Sequence, residues 1–474
     1  MKKTKSTFAL FFGNRGFFPA SLIEGARQDM VNTLKSMGHG SIMMDKNATR
    51  HGAVETPREG EVFAHFLHKN EGKYDGVILC LPNFGDETGA VAALQDVKVP
   101  ILVQAYPDEL DKMEPALRRD AFCGKFSVMD VFRQCNVKFT ALKPHTVLPS
   151  SERFWDHMDH FDRVCRVVNG FKNMVVGAIG ARTTAFKTVR FDELALQKHG
   201  VTVETLDLAD VFARMDKVSP RDKRCRDKAK LLAGYTCWTR APKSAFEKLV
   251  RLGVVLDDII AEYRMDALGL RCWTEMQNVL GVSPCVLLGM LNDRGVASAC
   301  EVDVGNAVAM HALSLASTDP ATCLDWNNNF GEDEDKCILF HCGPVPASMM
   351  QEKGCIQDHL IIANAIGKGK GFGCNEGRIK AGDCTFGSML TEDGKVKFFL
   401  GEGRFTEDVV PENFFGCAGV LESPRLQDTL LHLGYNGFRH HVSVTMGHVM
   451  EPTREALSYY LGFDVAIPQG RTCA

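Results

Sequence analysis

Short apolar runs alternate with helix-length amphipathic stretches through roughly the first 300 residues. FALFF (8–12), YDGVILCL (74–81) and VPILVQA (99–105) read as strands buried on both faces, and SLIEGARQDMVNTLKSMG (21–38) carries helical spacing. That βαβ rhythm predicts a parallel sheet. It restarts at NMVVGAIG (173–180), after the polar and aromatic SERFWDHMDHFDR (151–163), which places a domain boundary near residue 170. VSPCVLLGML (282–291) predicts a further buried strand in this second unit. Beyond residue 350 the texture becomes glycine-punctuated short runs, as in GKGKGFGCNEGRIKAGDCTFGSML (367–390) and KVKFFLGEGRF (395–405). The expected fold class is therefore α/β: two Rossmann-like, doubly wound domains over 1–168 and 169–350, then a mainly antiparallel β domain over 351–474.

Composition narrows the function classes. At 474 residues, with a net charge of -4 and 45% hydrophobic residues, the chain has ordinary globular balance, so neither disorder nor a basic nucleic-acid platform is expected. The stretch Lys217 to Lys230 also carries Asp222 and Asp227 and reads as a solvated helix face. Seventeen cysteines, running from Cys80 to Cys473, form no C-x-x-C pair, so neither a disulfide framework nor a structural zinc site is expected, and the usage reads as that of a reducing cytoplasm. The opening MKKTKSTFALFFGNRG is broken by Gly13, Asn14 and Arg15 and reads as a first strand rather than a secretion signal. No run of about 18 apolar residues predicts a membrane span.

The most informative segment is SACEVDVGNAVAMHALSLAS (298–317). Val304, Ala307, Val308, His311, Ala312 and Leu315 recur at helical spacing with Asp303 at the N-cap, so Glu301 falls in a loop feeding a helix N-terminus. In open α/β sheets such loops bind ligands. Asp325, in ATCLDWNNNF, also follows a short apolar run, and His341 ends the strand 337–340. Oxygen and imidazole donors at the ends of successive strands are what a divalent-metal site needs. In GFRHHVSVTMGHV (437–449), Val442, Val444 and Met446 alternate with Ser443 and Thr445, so His441 shares the polar face and His440 the apolar one. His441 is the ligand candidate and His440 the packing residue. DHMDH (156–160) lacks strand-end geometry and reads as a solvated helix face, and VVGAIGARTTAF (175–186) gives only G-x-x-G, short of a dinucleotide fingerprint.

Taken together, ACEVDVGNAVAM, Asp325 placed 24 residues after Glu301, HHVSVTMGH and GRIKAGDCTFG (377–387) resemble the L-fucose isomerase and L-arabinose isomerase superfamily, with FFGNRG and IGARTTAFKTVRFDE extending the likeness along most of the chain. The resemblance implies an aldose–ketose isomerase using Mn²⁺ or another divalent cation, in a homo-oligomer, commonly a hexamer, of three-domain subunits that share active sites. Glu301 and Asp325 would be both acid/base groups and metal ligands, and His441 a ligand. His341 matches a histidine ligand of the arabinose type, whereas the fucose type has an amide there. Arg15 and Asn327 are the substrate-binding candidates, Arg15 by matching an arginine that reaches a neighbouring subunit's pocket. With Arg50 and His51 nearby, Arg15 equally suits an anionic sugar such as sulfoquinovose. Two other classes stay open: a nicotinamide oxidoreductase, which the incomplete glycine fingerprint disfavours, and a non-catalytic sugar-binding protein, which has no need of paired carboxylates.

Overall fold

A computed structural model describes residues 5–468 apart from Thr184; Cys473 and the last six residues of the expected third domain lie outside them. The chain forms two compact units, one ending at Asn169 and one beginning at Gly170.

In the first unit, β1 (Thr7–Phe12), β2 (Gly40–Met43), β3 (Gly76–Leu81) and β4 (Ile101–Ala105) make a parallel sheet in the order β2-β1-β3-β4. Its strands are apolar without alternation because both faces are covered. Phe8, Leu10 and Phe12 pack with Phe154, Met158 and Phe161 of the helix Glu152–Gly170, while Ala9 and Phe11 pack on the other side with Phe63 and Leu67. That helix contains the DHMDH stretch, which is not wholly solvated as expected: His157 turns inward, buried and bonded to the Lys143 carbonyl at 2.7 Å.

The second unit begins with another parallel sheet, β5 (Met174–Ile179), β6 (Val201–Leu206), β7 (Ala267–Leu270) and β8 (Ala297–Cys300), in the order β6-β5-β7-β8. The segment expected to be a strand at 282–291 is instead the helix Cys285–Asp293. It is buried from Cys285 to Asn292, so it is apolar all round and shows no 3.6-residue period to distinguish it from a buried strand. The strand preceding Glu301 is the short β8, built from Ala297, Ser298, Ala299 and Cys300.

The remaining strands are β9 (Ala321–Phe330), β10 (Asp333–His341), β11 (Cys355–Gln357), β12 (Cys374–Arg378), β13 (Gly382–Glu392), β14 (Lys395–Phe405), β15 (Cys417–Glu422), β16 (His441–Met446) and β17 (Asp464–Ala466). They form one sheet in the order β11-β12-β15-β10-β9-β16-β13-β14-β17, and an extra pairing of β14 with β15 closes a barrel. Asp393 and Gly394, both at positive φ, make the two-residue turn between β13 and β14. The sheet starts at Ala321, ahead of the expected 351, so β9 and β10, expected in the second α/β domain, belong to the barrel. The helix Val304–Ser317 is buried along nearly its whole length. Among the described residues no helix is long and apolar enough to cross a membrane.

Candidate metal centre

Glu301 leaves β8 in a tight turn in which it and Val302 both adopt left-handed φ, 60° and 61°. The turn lies against β7, where Gly269 makes room: a Cβ there would sit 2.9 Å from the Val302 carbonyl carbon. Asp303 then caps the helix Val304–Ser317, its Oδ1 accepting from the Asn306 backbone N–H at 3.0 Å.

The barrel supplies the other groups. Asp325 is in the middle of β9, not at a strand end, and is paired directly with His441 of β16 and with Phe340 of β10. Opposed residues on antiparallel strands share a face. Pairing therefore brings the Asp325 carboxylate to His441, Oδ1 to Nε2 3.4 Å, and the last residue of β10, His341, is next along. Glu301 reaches the same place, its Oε2 lying 3.0 Å from His441 Nε2 and 3.9 Å from His341 Nε2. Ligands at right angles around an ion with bonds of about 2.1 Å are about 3 Å apart, so these separations suit a divalent cation. The donor chemistry agrees: Glu301 Oε2 and Asp325 Oδ1, the oxygens facing His441 Nε2, are buried without a hydrogen bond of their own.

The two histidines are prepared differently. Nδ1 of His441 donates to Asp303 Oδ2 at 2.8 Å, which leaves the Nε2 lone pair facing the two carboxylates. Asp303 is in turn held by Arg439 Nη1 at 2.5 Å and Asn306 Nδ2 at 2.6 Å. Burial alone would raise its carboxyl, but Arg439 and His441 hold it well below the usual carboxylate range. Nδ1 of His341 instead accepts the Cys342 backbone N–H at 2.9 Å, which puts the ring proton on Nε2, facing Glu301. Burial raises the Asp325 carboxyl against the pull of His341 and His441; at Glu301 burial acts the same way, but His441 prevails and the carboxyl is lowered.

His441, Ser443 and Thr445 lie on one face of β16: Ser443 and Thr445 bond to Asn306 and Ser317 of the helix Val304–Ser317, while Val442 and Val444 enter the barrel core. His440 departs from its expected packing role. It precedes β16, its side chain is 43% exposed, and its Nε2 is 3.7 Å from Asp325 Oδ1. Asn327 is exposed on β9. Arg15 lies in the first unit, where its guanidinium pairs with Glu87, donates to the Gly85 carbonyl at 2.8 Å and covers the Phe84 ring. Sequence reading missed Asp303 as the partner of His441, and also the aromatic wall: Trp273 Nε1 donates to Glu301 Oε1 at 2.9 Å, and Phe186 packs edge-on against Trp273 and His440. An N-cap aspartate and isolated aromatics carry no local signal of such roles.

Known proteins place this architecture. Residues 9–172 match the family model of the fucose/sulfoquinovose isomerase N-terminal domain, and residues 339–468 match that of the L-fucose isomerase C-terminal domain. The chain belongs to the fucose isomerase-like family. Members with curated names include the sulfoquinovose isomerase of Alkalicoccus urumqiensis, 24% identical over 395 residues, covering 82% of this chain and 85% of that one. That of Priestia aryabhattai is 23% identical over 390 residues, 81% and 84% of the two chains, and that of Clostridium sp. (strain MSTE9) is 26% identical over 276 residues, 58% and 60%. The sugar isomerases of this family are intramolecular oxidoreductases, and this chain carries their N- and C-terminal domains.

Proposed function

We propose that this chain is a divalent-metal-dependent aldose–ketose isomerase whose substrate is a 6-sulfonated aldose, sulfoquinovose. The observation that carries the reading is the convergence of Glu301, Asp325 and His441, with buried donor atoms lacking partners. Glu301, Asp325 and the Nε2 of His441 would hold the ion, manganese being a cation that suits a mixed carboxylate and imidazole set. When bound, it supplies Lewis acidity toward the negative charge that develops on the sugar oxygens, worth several kcal/mol. One of the two carboxylates removes the proton from the carbon beside the carbonyl while the other, as the acid, protonates the carbonyl oxygen, giving a cis-enediol; the first then delivers a proton to the neighbouring carbon as the second takes one from the hydroxyl that becomes the new carbonyl. Trp273 fixes the rotamer of Glu301, and the Phe186 and Trp273 rings keep water from the reacting face. The ligand role that the resemblance gives His341 would require its Nε2 proton to leave; with the proton there, that N–H would donate to a sugar oxygen, the part an amide would play.

The substrate assignment is supported by the names of the relatives and by Arg15, whose guanidinium is oriented by Glu87 and Gly85. Arg15 is read as the sulfonate contact of a neighbouring subunit's pocket in a homo-oligomer, commonly a hexamer. The test is a panel of aldoses incubated with the Mn²⁺-loaded protein, with ketose formation followed by NMR in D₂O. Sulfoquinovose should be converted well ahead of fucose and arabinose, and deuterium should enter the product from solvent. Preferential conversion of a neutral sugar overturns the substrate, and no conversion of any aldose overturns the activity.

A further inference from the structure

Beside the carboxylate–histidine centre, the second unit gathers another set of metal-ligating atoms. Four buried cysteines arrive from four separate elements: Cys285 opens the helix Cys285–Asp293, Cys300 ends β8, Cys342 follows β10 and Cys374 opens β12. The Cys285 sulfur is 3.4 Å from that of Cys342 and 4.0 Å from that of Cys374, and the three ligand atoms all lie within 4.8 Å of one another. Cys300 belongs to the adjoining group, its ligand atom lying within 4.8 Å of those of His341 and Cys342. All four are free thiols.

Buried cysteines ordinarily behave as small apolar residues, and that role does not require their sulfurs to meet. A tetrahedral ion with metal–sulfur bonds of about 2.3 Å sets its sulfurs about 3.8 Å apart. The Cys285–Cys342 and Cys285–Cys374 separations, 3.4 and 4.0 Å, bracket that value, and Cys300, beside Cys342, would complete the set by turning its side chain toward them. A cluster of several irons would hold its cysteines farther apart.

We propose that Cys285, Cys300, Cys342 and Cys374 form a closed structural site for a thiolate-preferring divalent ion, zinc. Its entry displaces the thiol protons to solvent and involves no change of oxidation state. With four sulfurs and no solvent access, the site has no open coordination position for substrate, so its role is separate from sugar isomerisation. Cys300 directly precedes Glu301 and Cys342 directly follows His341, so the ion would tie together the backbone segments that present those two side chains.

The test uses the full chain. Protein expressed with zinc and dialysed exhaustively against EDTA should retain about one zinc per chain, and an organomercurial that titrates thiolates should release it to a metallochromic dye. Cobalt-grown protein should show a sulfur-to-cobalt charge-transfer band with tetrahedral d–d bands, which a carboxylate and imidazole site does not give. Cys285→Ser and Cys374→Ser should lose the charge-transfer band, whereas Glu301→Gln should keep it. Near-zero zinc after EDTA with all four thiols reactive on denaturation, a disulfide among the four, or cobalt protein without the charge-transfer band would each overturn the proposal; none of these readings depends on a variant folding.

Discussion

At the scale of single residues, the centre assigns unlike tasks to like groups. Glu301→Gln and Asp325→Asn nearly preserve volume while removing a base, so each should lower kcat by at least about 10²-fold with the circular dichroism spectrum unchanged. Residual activity near wild type in either would remove that residue from proton transfer. Asp303 touches neither carboxylate; it fixes the tautomer of His441. Asp303→Asn keeps an oxygen for the helix cap but weakens that hold, and should loosen Mn²⁺ binding about 10- to 100-fold in an equilibrium titration. His441→Ala should lose the metal, whereas His440→Ala, at the exposed rim, should keep it. Away from the site, burial lowers the Lys125 ammonium from 10.5 to about 8. The unfolded chain keeps that proton up to about 10.5, so between the two values the unfolded state binds more protons and stability rises with pH. The wild type should therefore gain about 3 kcal/mol over Lys125→Met between pH 8 and 10.5 in denaturant titrations, and a flat difference would show that the ammonium titrates normally.

At the scale of elements, strand register explains both what the sequence disclosed and what it withheld. The alternation in 441–446 gave the face of His441 because period two is a local property. The partner strand is not local. That β16 pairs with β9, setting His441 opposite Asp325, depends on barrel closure across more than a hundred residues, and nothing in ATCLDWNNNF says that Asp325 is mid-strand. The helix Cys285–Asp293 looks like a strand in sequence because complete burial erases amphipathic period, and β8 gives no signal because its four small residues make no apolar run. The position of Glu301 just before a helix is nevertheless legible, since the Asp303 cap and the spacing after it are written locally. The same register gives a prediction for β7. Because Gly269 lets the Glu301 turn approach, Gly269→Ala should push the Val302 backbone outward, lowering kcat and costing about 1–3 kcal/mol of stability. Unchanged kinetics would mean that the turn yields without moving the carboxylate.

At the scale of the whole molecule, Arg15 and Glu301 belong to different compact units, the first fed by a parallel sheet alone and the second combining a parallel sheet with a barrel. The carboxylates and His441 all come from the second unit, so that unit contains the proposed proton-transfer and metal-holding groups without help from the first. What the second unit's three groups lack is a positive charge for a sulfonate, which Arg15 of another subunit would supply. If that is right, an Arg15→Ala protein and a Glu301→Gln protein, each nearly inactive on sulfoquinovose, should regain activity when their subunits are exchanged, because some pockets then combine an intact Arg15 with an intact Glu301. The same Arg15→Ala change should raise KM for sulfoquinovose far more than for a neutral aldose, since a charge-assisted contact is about twice as strong as a neutral hydrogen bond. Sedimentation should find a stable oligomer. A monomer, or exchange without recovery, would place Arg15 outside the pocket and leave the sulfonate to be bound by a group within the second unit.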